Sequence, residues 1–597
     1  MSAAREAFAQ FFDADEVEPV VQAFEAMVAA TEMPEGTKGL DKFAHLDSTV
    51  RGSLSFRHKR IFEVLKTAIR TRENVAKTQA EAVSPGSADA MVKKAGDPFD
   101  TRVFVSGAGP VGLRTAVENA LLGHSVTIVE RRGVFSRVNI LMFWSQTMGD
   151  MVSLGAKVFY PKLVTHGSPM HMGTREIQLV LLKTALLLGV DVRYNTALTG
   201  LACDGDTSWR AAVYTPPKHQ SGIRKSLSNI RKSLSRRSGE KAPKIPDALK
   251  FKPDKTADYS ATFLCNMVEE PDVDFVFTNA KTKGTDIETI PFDALVIAEG
   301  EWSQTSKKLG FHKSVDRFSR AIGIVVNLDY DPTNAVEKGL RSFNLGFAPV
   351  PSAARDRLNA AGIQIETMEY LKGHTHYIVV SLYKLDSLYN AGVIKSYGGD
   401  GLLLRPENVD LDALNKFART VATAVGLPPS AKFARHHAVQ IFDFSTRARA
   451  FKPTRLLVSD AVSSRPEYPN DVGDVVLPSY KNKVLAPVFL TGDSLVEPFW
   501  PQGLGSNRGF HTAIDTAHAI NVLRLQGLED CLEERNFFYN VMVRTPWISS
   551  SYLNKFEVWT TDPYNRYPEK VTKGLVMQTG GRFTEPIPQR VRDIFKE

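Results

Sequence analysis

The sequence predicts an α/β fold: a parallel sheet wound with helices, interrupted by a β-rich insertion and extended by helices at both ends. Three observations carry this. From residue 101, TRVFVSG, PVGLRTAVENALLG and HSVTIVE read as strand, helix and strand, the βαβ unit of a parallel sheet. A late apolar strand, VLAPVFLTGD, ends in Gly-Asp and runs into a second long helical stretch, GSNRGFHTAIDTAHAINVLRLQG. Between them lie WRAAVYT, ATFLCNMV, VDFVFTN, DALVIAEG, RAIGIVVNLDY and HTHYIVVSLYK, each rich in β-branched and aromatic residues.

The elements follow in order. Residues 1–95 read as helical, because VEPVVQAFEAMVAA and FRHKRIFEVLKTAIRTRENVA place apolar residues three and four apart. SPGSADAMVKKAGDP then reads as a linker of turn formers. Residues 98–214 form the first half of a dinucleotide-binding domain, 258–400 a β-rich substrate domain, 401–530 the second half, and 531–597 a helical end region dense in Tyr, Trp and Pro. Residues 215–257 differ in composition. IRKSLS occurs there twice at a period of seven, Ile223, Leu227, Ile230 and Leu234 would share one helix face, and the rest is Lys, Arg and Ser. This reads as a basic surface insertion, disordered when free, whose stretch 222–237 could make a weak contact with an acidic surface. Its serines follow basic residues, and phosphorylation there would cancel charge.

Composition bounds the function. Of 597 residues, 43% are apolar and 23% charged, as in soluble globular proteins, and the net charge is +8. No run approaches the roughly 18 apolar residues of a membrane-spanning helix. The acidic, amphipathic N-terminus lacks the order of a secretory signal, so a cytoplasmic location is expected. Cys203, Cys265 and Cys531 lie far apart, which excludes a ligand-spaced zinc site or a disulfide framework, and no metal is expected. His374 and His376 could line a substrate pocket, but with no base or metal partner at a suitable spacing they read first as polar groups on a strand face.

The chemistry begins at Gly107, Gly109 and Gly112, a G-x-G-x-x-G between strand and helix, with Pro110 inside it. The first glycine permits the turn, the second admits a pyrophosphate, and the third lets helix and strand approach. Free N–H groups at the helix N-terminus then face the phosphates. Glu130 ends the next strand 18 residues after Gly112, where a carboxylate takes ribose hydroxyls. That acid argues against a 2′-phosphate and leaves FAD or NAD. Large flavoproteins that bind FAD through an N-terminal Rossmann unit also carry a late strand ending in Gly-Asp, and Gly492-Asp493 fits that place, with Asp493 on the ribityl chain. Phe499 and Trp500 are candidates to line the planar ring; core packing is the plainer reading of both. No second G-x-G-x-x-G has a strand and helix around it, as in flavin hydroxylases of the p-hydroxybenzoate hydroxylase type, which hold the pyridine nucleotide only transiently. Where that group carries Asp-Gly, this chain has Glu299-Gly300-Glu301.

These residues resemble the flavin monooxygenase domain of the MICAL family. SGAGPVGLRTAVENALLGHSVTIVERRGVFSRVNILMFW, LGAKVFYPKL, REIQLVLLKTALLLGV, IFDFSTRARA and GDSLVEPFWPQGLGSNRGF match family blocks in the same order, and DPYNRYP matches a late one. The run EPFWPxGxG, with Pro501, Gly503 and Gly505, is the most specific. The resemblance implies a Rossmann-type FAD-binding domain of the p-hydroxybenzoate hydroxylase type with FAD as cofactor and NADPH as co-substrate. It puts Glu130 and Arg132 at the adenosine end, Arg137 near the pyrophosphate, Asn139 near the flavin, and Trp500 at the flavin face where substrate enters. It implies oxygen transfer from a C4a-hydroperoxyflavin to methionine on actin (F-actin), release of H2O2 when uncoupled, and association with the cytoskeleton. The alternatives are a small-metabolite hydroxylase of the same fold and an NADPH oxidase. No nucleic-acid partner is expected. Animal members carry calponin-homology and LIM domains after the oxidase; none is expected in this sequence.

Overall fold

The computed structural model describes residues 2–81, 101–162, 171–204, 208–215, 261–263, 276–277, 287–317, 322–344, 349–382, 384–397, 403–435, 437–458, 484–497, 505–544 and 563. Most of the basic insertion, and its 222–237 stretch entirely, lies outside these residues, as does Cys265.

Four helices open the chain: α1 (Ser2–Asp13), α2 (Val17–Ala29), α3 (Gly39–Thr49) and α4 (Phe56–Glu81). Strand β1 (Arg102–Ser106), helix α5 (Pro110–Leu121) and strand β2 (Ser125–Glu130) form the expected βαβ unit. Helices α6 (Ser145–Ser153) and α7 (Thr174–Leu187) lead to β3 (Asp191–Tyr194). Strands β4 (Ala197–Asp204), β5 (Ser208–Tyr214) and β6 (Ile287–Phe292) precede β7 (Ala294–Ile297). Then come β8 (Lys313–Arg317), β9 (Ile322–Asp329), β10 (Ile365–Lys372), β11 (Thr375–Leu382), α8 (Leu411–Val425), β12 (Val439–Asp443) and β13 (Thr446–Ala450). Strands β14 (Thr454–Val458) and β15 (Leu485–Leu490), with helices α9 (Gly505–Leu525) and α10 (Leu528–Arg544), close the described part.

The main sheet has the order β14-β15-β7-β1-β2-β3, parallel except for β14 at its edge. Its inner strands β1, β7 and β15 are buried on both faces, as a parallel sheet requires. Val103 and Val105 pair with Ala294 and Val296 on one side and with Val126 and Ile128 on the other. All six point to one face, where they join α5, α7 and the opening helices in a single core that includes Phe8, Phe11 and Phe62. Phe104, Leu295 and Ile297 alternate to the other face and meet Trp209, Phe292 and Phe538. The strand at Ala294–Ile297, read from sequence with the central β-rich region, is therefore an inner strand of the cofactor sheet. A short apolar run bounded by turns fits either sheet, and only its parallel pairing with β1 and β15 settles the matter.

The opening helices are fused to this sheet through charge as well as apolar area. Arg114 and Glu118 of α5, Asp150 of α6 and Arg72 of α4 form a buried network. Arg114 reaches Asp150 Oδ2 at 2.7 Å and Glu118 Oε2 at 2.8 Å, and Arg72 reaches Glu118 Oε1 at 3.2 Å. Burial alone would raise the Glu118 carboxyl, but Arg72 and Arg114 overcome it and hold the group at about 2.

A second sheet, β10-β11-β9-β12 with the short strand at Ala261–Phe263, packs one face on α8. Helix α8 is bounded as its sequence dictates. Asp410 accepts from the Ala413 N–H at its start, and Gly426 closes it at φ 108°. His376 lies within this core rather than on an open strand face. Its Nε2 meets Glu337 at 3.1 Å and its Nδ1 meets the Tyr370 hydroxyl at 2.8 Å. Glu337 stands 39 residues upstream, so no local spacing could reveal the partner. The opposite face of the sheet, with Val325, Leu371, Tyr377 and Val379, packs on Ile140 of the cofactor half. At its rim His374 pairs with Glu176, whose other oxygen caps the start of α7 through the Gly173 N–H.

Replacing Arg114 with Met leaves two buried carboxylates to share Arg72. The expected loss is about 3–5 kcal/mol of unfolding free energy, read from the denaturant midpoint. The His374 pair carries a pH signature. Its hydrogen bond to Glu176 raises the imidazole above its ordinary value. The stabilisation is therefore complete below about pH 6.5 and fades as pH rises through the raised value. The His374→Ala variant should show a larger deficit in thermal midpoint at pH 5.5 than at pH 9.

Candidate functional site

The glycine turn is built by exclusion. Gly107 has φ 101°, and a Cβ on it would lie 2.6 Å from the Ala298 carbonyl oxygen. A Cβ on Gly112 would collide with the Gly107 carbonyl. Both glycines are therefore required by the protein itself. Gly109 is different: its φ is an ordinary −65°, and a Cβ there would meet nothing within 4 Å. It opens α5 with Pro110 at the first turn and no side-chain cap, which leaves the first-turn donors facing open space.

Glu130 closes the turn from the side. Its Oε2 accepts from the Ala108 N–H at 3.0 Å and its Oε1 from the Arg132 N–H at 3.0 Å. Arg132 itself is exposed and donates to the Ser136 hydroxyl at 3.2 Å. Glu299, one strand over, is held by the hydroxyls of Ser106, Ser303 and Thr305 at 2.6–2.8 Å. The acid that departs from Asp-Gly thus braces the ends of β1 and β7.

The Gly-Asp turn arrives at the same place. β15 runs parallel to β7, the Thr491 N–H donates to the Ile297 carbonyl, and Ser494 Oγ donates to the Gly300 carbonyl at 2.9 Å. Gly492, at φ 60°, faces Val111: a Cβ on it would lie 3.1 Å from a Val111 methyl, and one on Gly509 only 2.5 Å from the other. The Gly492 N–H is tied to Thr512 Oγ1 of α9 at 2.8 Å. The two halves of the predicted site, separated by most of the chain, meet across one valine at the start of α5.

Charge gathers there. Burial raises the Asp493 carboxyl, and Arg137 and Lys313 oppose the shift. Lys313 of β8 donates to the Asp493 carbonyl at 2.9 Å and to Glu497 at 2.5 Å. Burial likewise raises Glu497 against Lys313. Glu301 remains reachable by water, yet crowding by the protein removes hydration first, and Glu497 and Asp493 add like charge, so its carboxyl is pushed up. Arg137, Asp493 and Glu130 of the predicted set are brought to one region. Asn139 lies beside it, its carbonyl accepting from the Thr174 N–H and hydroxyl at 2.8 Å each. Phe499, Trp500, Pro501 and Gly503 lie outside the described residues, and Gly505 is the first residue of α9.

These residues fit FAD. The uncapped helix start and the open space above Gly109 suit a pyrophosphate. Asn139 Oδ1 is buried with no hydrogen-bond partner among the described residues, an acceptor waiting for a donor.

A family profile described as "Mical, Rossman domain" matches residues 322–443, which here form four strands of the five-stranded sheet and α8 rather than the glycine turn. The chain is 29% identical over 521 residues to "[F-actin]-monooxygenase MICAL2" of Rattus norvegicus, covering 86% of this chain and 22% of that protein. It is 30% identical over 477 residues to "[F-actin]-monooxygenase mical2b" of Danio rerio, covering 79% and 23%. It is 29% identical over 470 residues to "Protein-methionine sulfoxide oxidase mical3a" of Danio rerio, covering 79% and 19%. The chain is a relative of the MICAL family. It spans about a fifth of the length of these MICAL relatives.

Sequence reasoning missed Lys313. It sits on a short strand with no motif, and only the pairing of β8 with β13 carries it to the Gly-Asp turn. The variant Lys313→Met removes a charge-assisted donor from that turn. It should weaken FAD binding by about tenfold, measured by quenching of flavin fluorescence on titration with the apoprotein.

Proposed function

We propose that this chain is an FAD-dependent monooxygenase that consumes NADPH and O2 and oxidises methionine side chains of F-actin to the sulfoxide. The observation that carries the reading is the contact of Gly492 and Gly509 with Val111, which joins the glycine turn to the Gly-Asp turn in a chain that aligns with MICAL proteins over most of its length.

In this reading the N–H groups at the start of α5, above Gly109 and Pro110, hold the pyrophosphate. Glu130 and Arg132 hold the adenosine end, and Asp493 the ribityl chain. Arg137 would stand near the pyrophosphate and Asn139 near the flavin, and Phe499 and Trp500 would line its substrate side on the strength of the sequence alone. The chemistry the cofactor supplies when bound is the use of O2 with electrons from NADPH: NADPH, H⁺, O2 and a thioether give NADP⁺, water and a sulfoxide. The chain orients the thioether and excludes water. Lys313 fixes the Gly-Asp turn through the Asp493 carbonyl and Glu497. The product is a polar sulfoxide, which disrupts an apolar contact of the filament. Such a substrate implies a cytoplasmic site of action at the cytoskeleton.

The test is NADPH consumption by the yellow holoprotein with and without F-actin, with mass spectrometry of the actin. Stimulation together with methionine sulfoxide is expected. Peroxide equal to the NADPH consumed, with no stimulation, would make the chain an oxidase instead.

A further inference from the structure

We infer that the loop Arg131–Ser136 is a clamped cofactor-positioning element, and that His437 is the positioning residue the five-stranded sheet contributes to it. The inference rests on the FAD reading above. Among the described residues three that are not glycine have positive φ: Glu32, Asn195 and His437. Two of these three touch this one loop, from opposite partners.

Asn195, at φ 55°, follows β3. Its N–H donates to the Arg132 carbonyl at 3.4 Å, and the next residue, Thr196, donates to the Glu130 carbonyl at 2.9 Å. Its side chain lies so close to Gly133 that a Cβ there would stand 2.6 Å from Oδ1 and 2.8 Å from Nδ2. A side chain at 133 would have to displace the Asn195 amide. His437, at φ 51°, comes from the turn before β12. Buried Asn327 of β9 holds that turn by donating to the His437 carbonyl at 2.8 Å. The amide nitrogen of Gln440 lies 2.8 Å from His437 Nδ1; with that amide donating, Nδ1 accepts and Nε2 carries the ring proton. Nε2 faces Ser136 Oγ at 3.2 Å. The same hydroxyl accepts from Arg132 Nη1, and the Arg132 N–H returns to Glu130. A continuous chain of hydrogen bonds thus runs from the five-stranded sheet to the acid that flanks the glycine turn.

Left-handed backbone in a residue with a Cβ carries a conformational cost and persists only where the surroundings enforce it. Here two such residues converge on the segment between Glu130 and Arg137. The five-stranded sheet, which shares no strand with the cofactor sheet, thereby sets the shape of the cofactor's adenosine end.

The variants His437→Gly and Ser136→Ala test this in the full chain. Glycine adopts the same backbone without cost, so the first removes the ring alone. Each should raise the FAD dissociation constant about tenfold, and the double variant no further, because both cut one link. The apoprotein melting temperature of His437→Gly should equal or exceed that of the unaltered chain, which a merely structural histidine would not allow. Unchanged affinity in either variant, additive losses of about a hundredfold in the double variant, or affinity lost only in step with the apoprotein melting temperature would overturn the inference. Failure of the unaltered chain to bind FAD would overturn the cofactor reading itself.

Discussion

The constraint on which the candidate site depends is steric. Val111, at the first turn of α5, touches the places where Gly492 and Gly509 lack a side chain. Those two glycines belong to the late strand's turn and to α9, and Val111 belongs to the amino-terminal fingerprint. Because both contacts fall on one valine, the turn that carries Asp493 cannot shift without unpacking the helix that opens above Gly109. Packing at interior density turns such a contact into a fixed distance. Everything proposed for the site depends on that distance being short.

The same helix is anchored from behind. Its Arg114 and Glu118 lie in a buried ion network with α4 and α6, and its apolar face shares a core with the opening helices. A fully buried charge network of this kind contributes little net stability over apolar packing, but it is costly to break and admits one arrangement. The opening helices therefore act as a rigid backing for the cofactor helix. That is why a segment read from sequence as a separate helical region, set off by a linker, has no core of its own.

Much of the site was legible because its parts are written locally. Gly107, Gly112 and Glu130 follow from a fixed spacing, and Asp493 from a strand that ends in Gly-Asp. What could not be read is what depends on pairing over long separation. Ala294–Ile297 is an inner strand of the cofactor sheet only because Val296 pairs with Val105 on one side and Phe489 on the other. Lys313 reaches the Gly-Asp turn only through the ribbon of β8 and β13, and Glu337 finds His376 only across the five-stranded sheet. Periodicity names an element; it does not name its neighbour.

The charge at the Gly-Asp turn gives the last step. Glu301, Asp493 and Glu497 all have carboxyls raised by burial, and Arg137 and Lys313 pull each of the first two back. Lys313 and Lys307 act likewise on Glu497, and crowding these acids into a place short of water is costly. The shared upward shift is the mark of that crowding, and groups so close titrate as a set rather than singly. In the proposed reading, Arg137 and Lys313 would offset the negative charge of these acids where an anionic dinucleotide arrives.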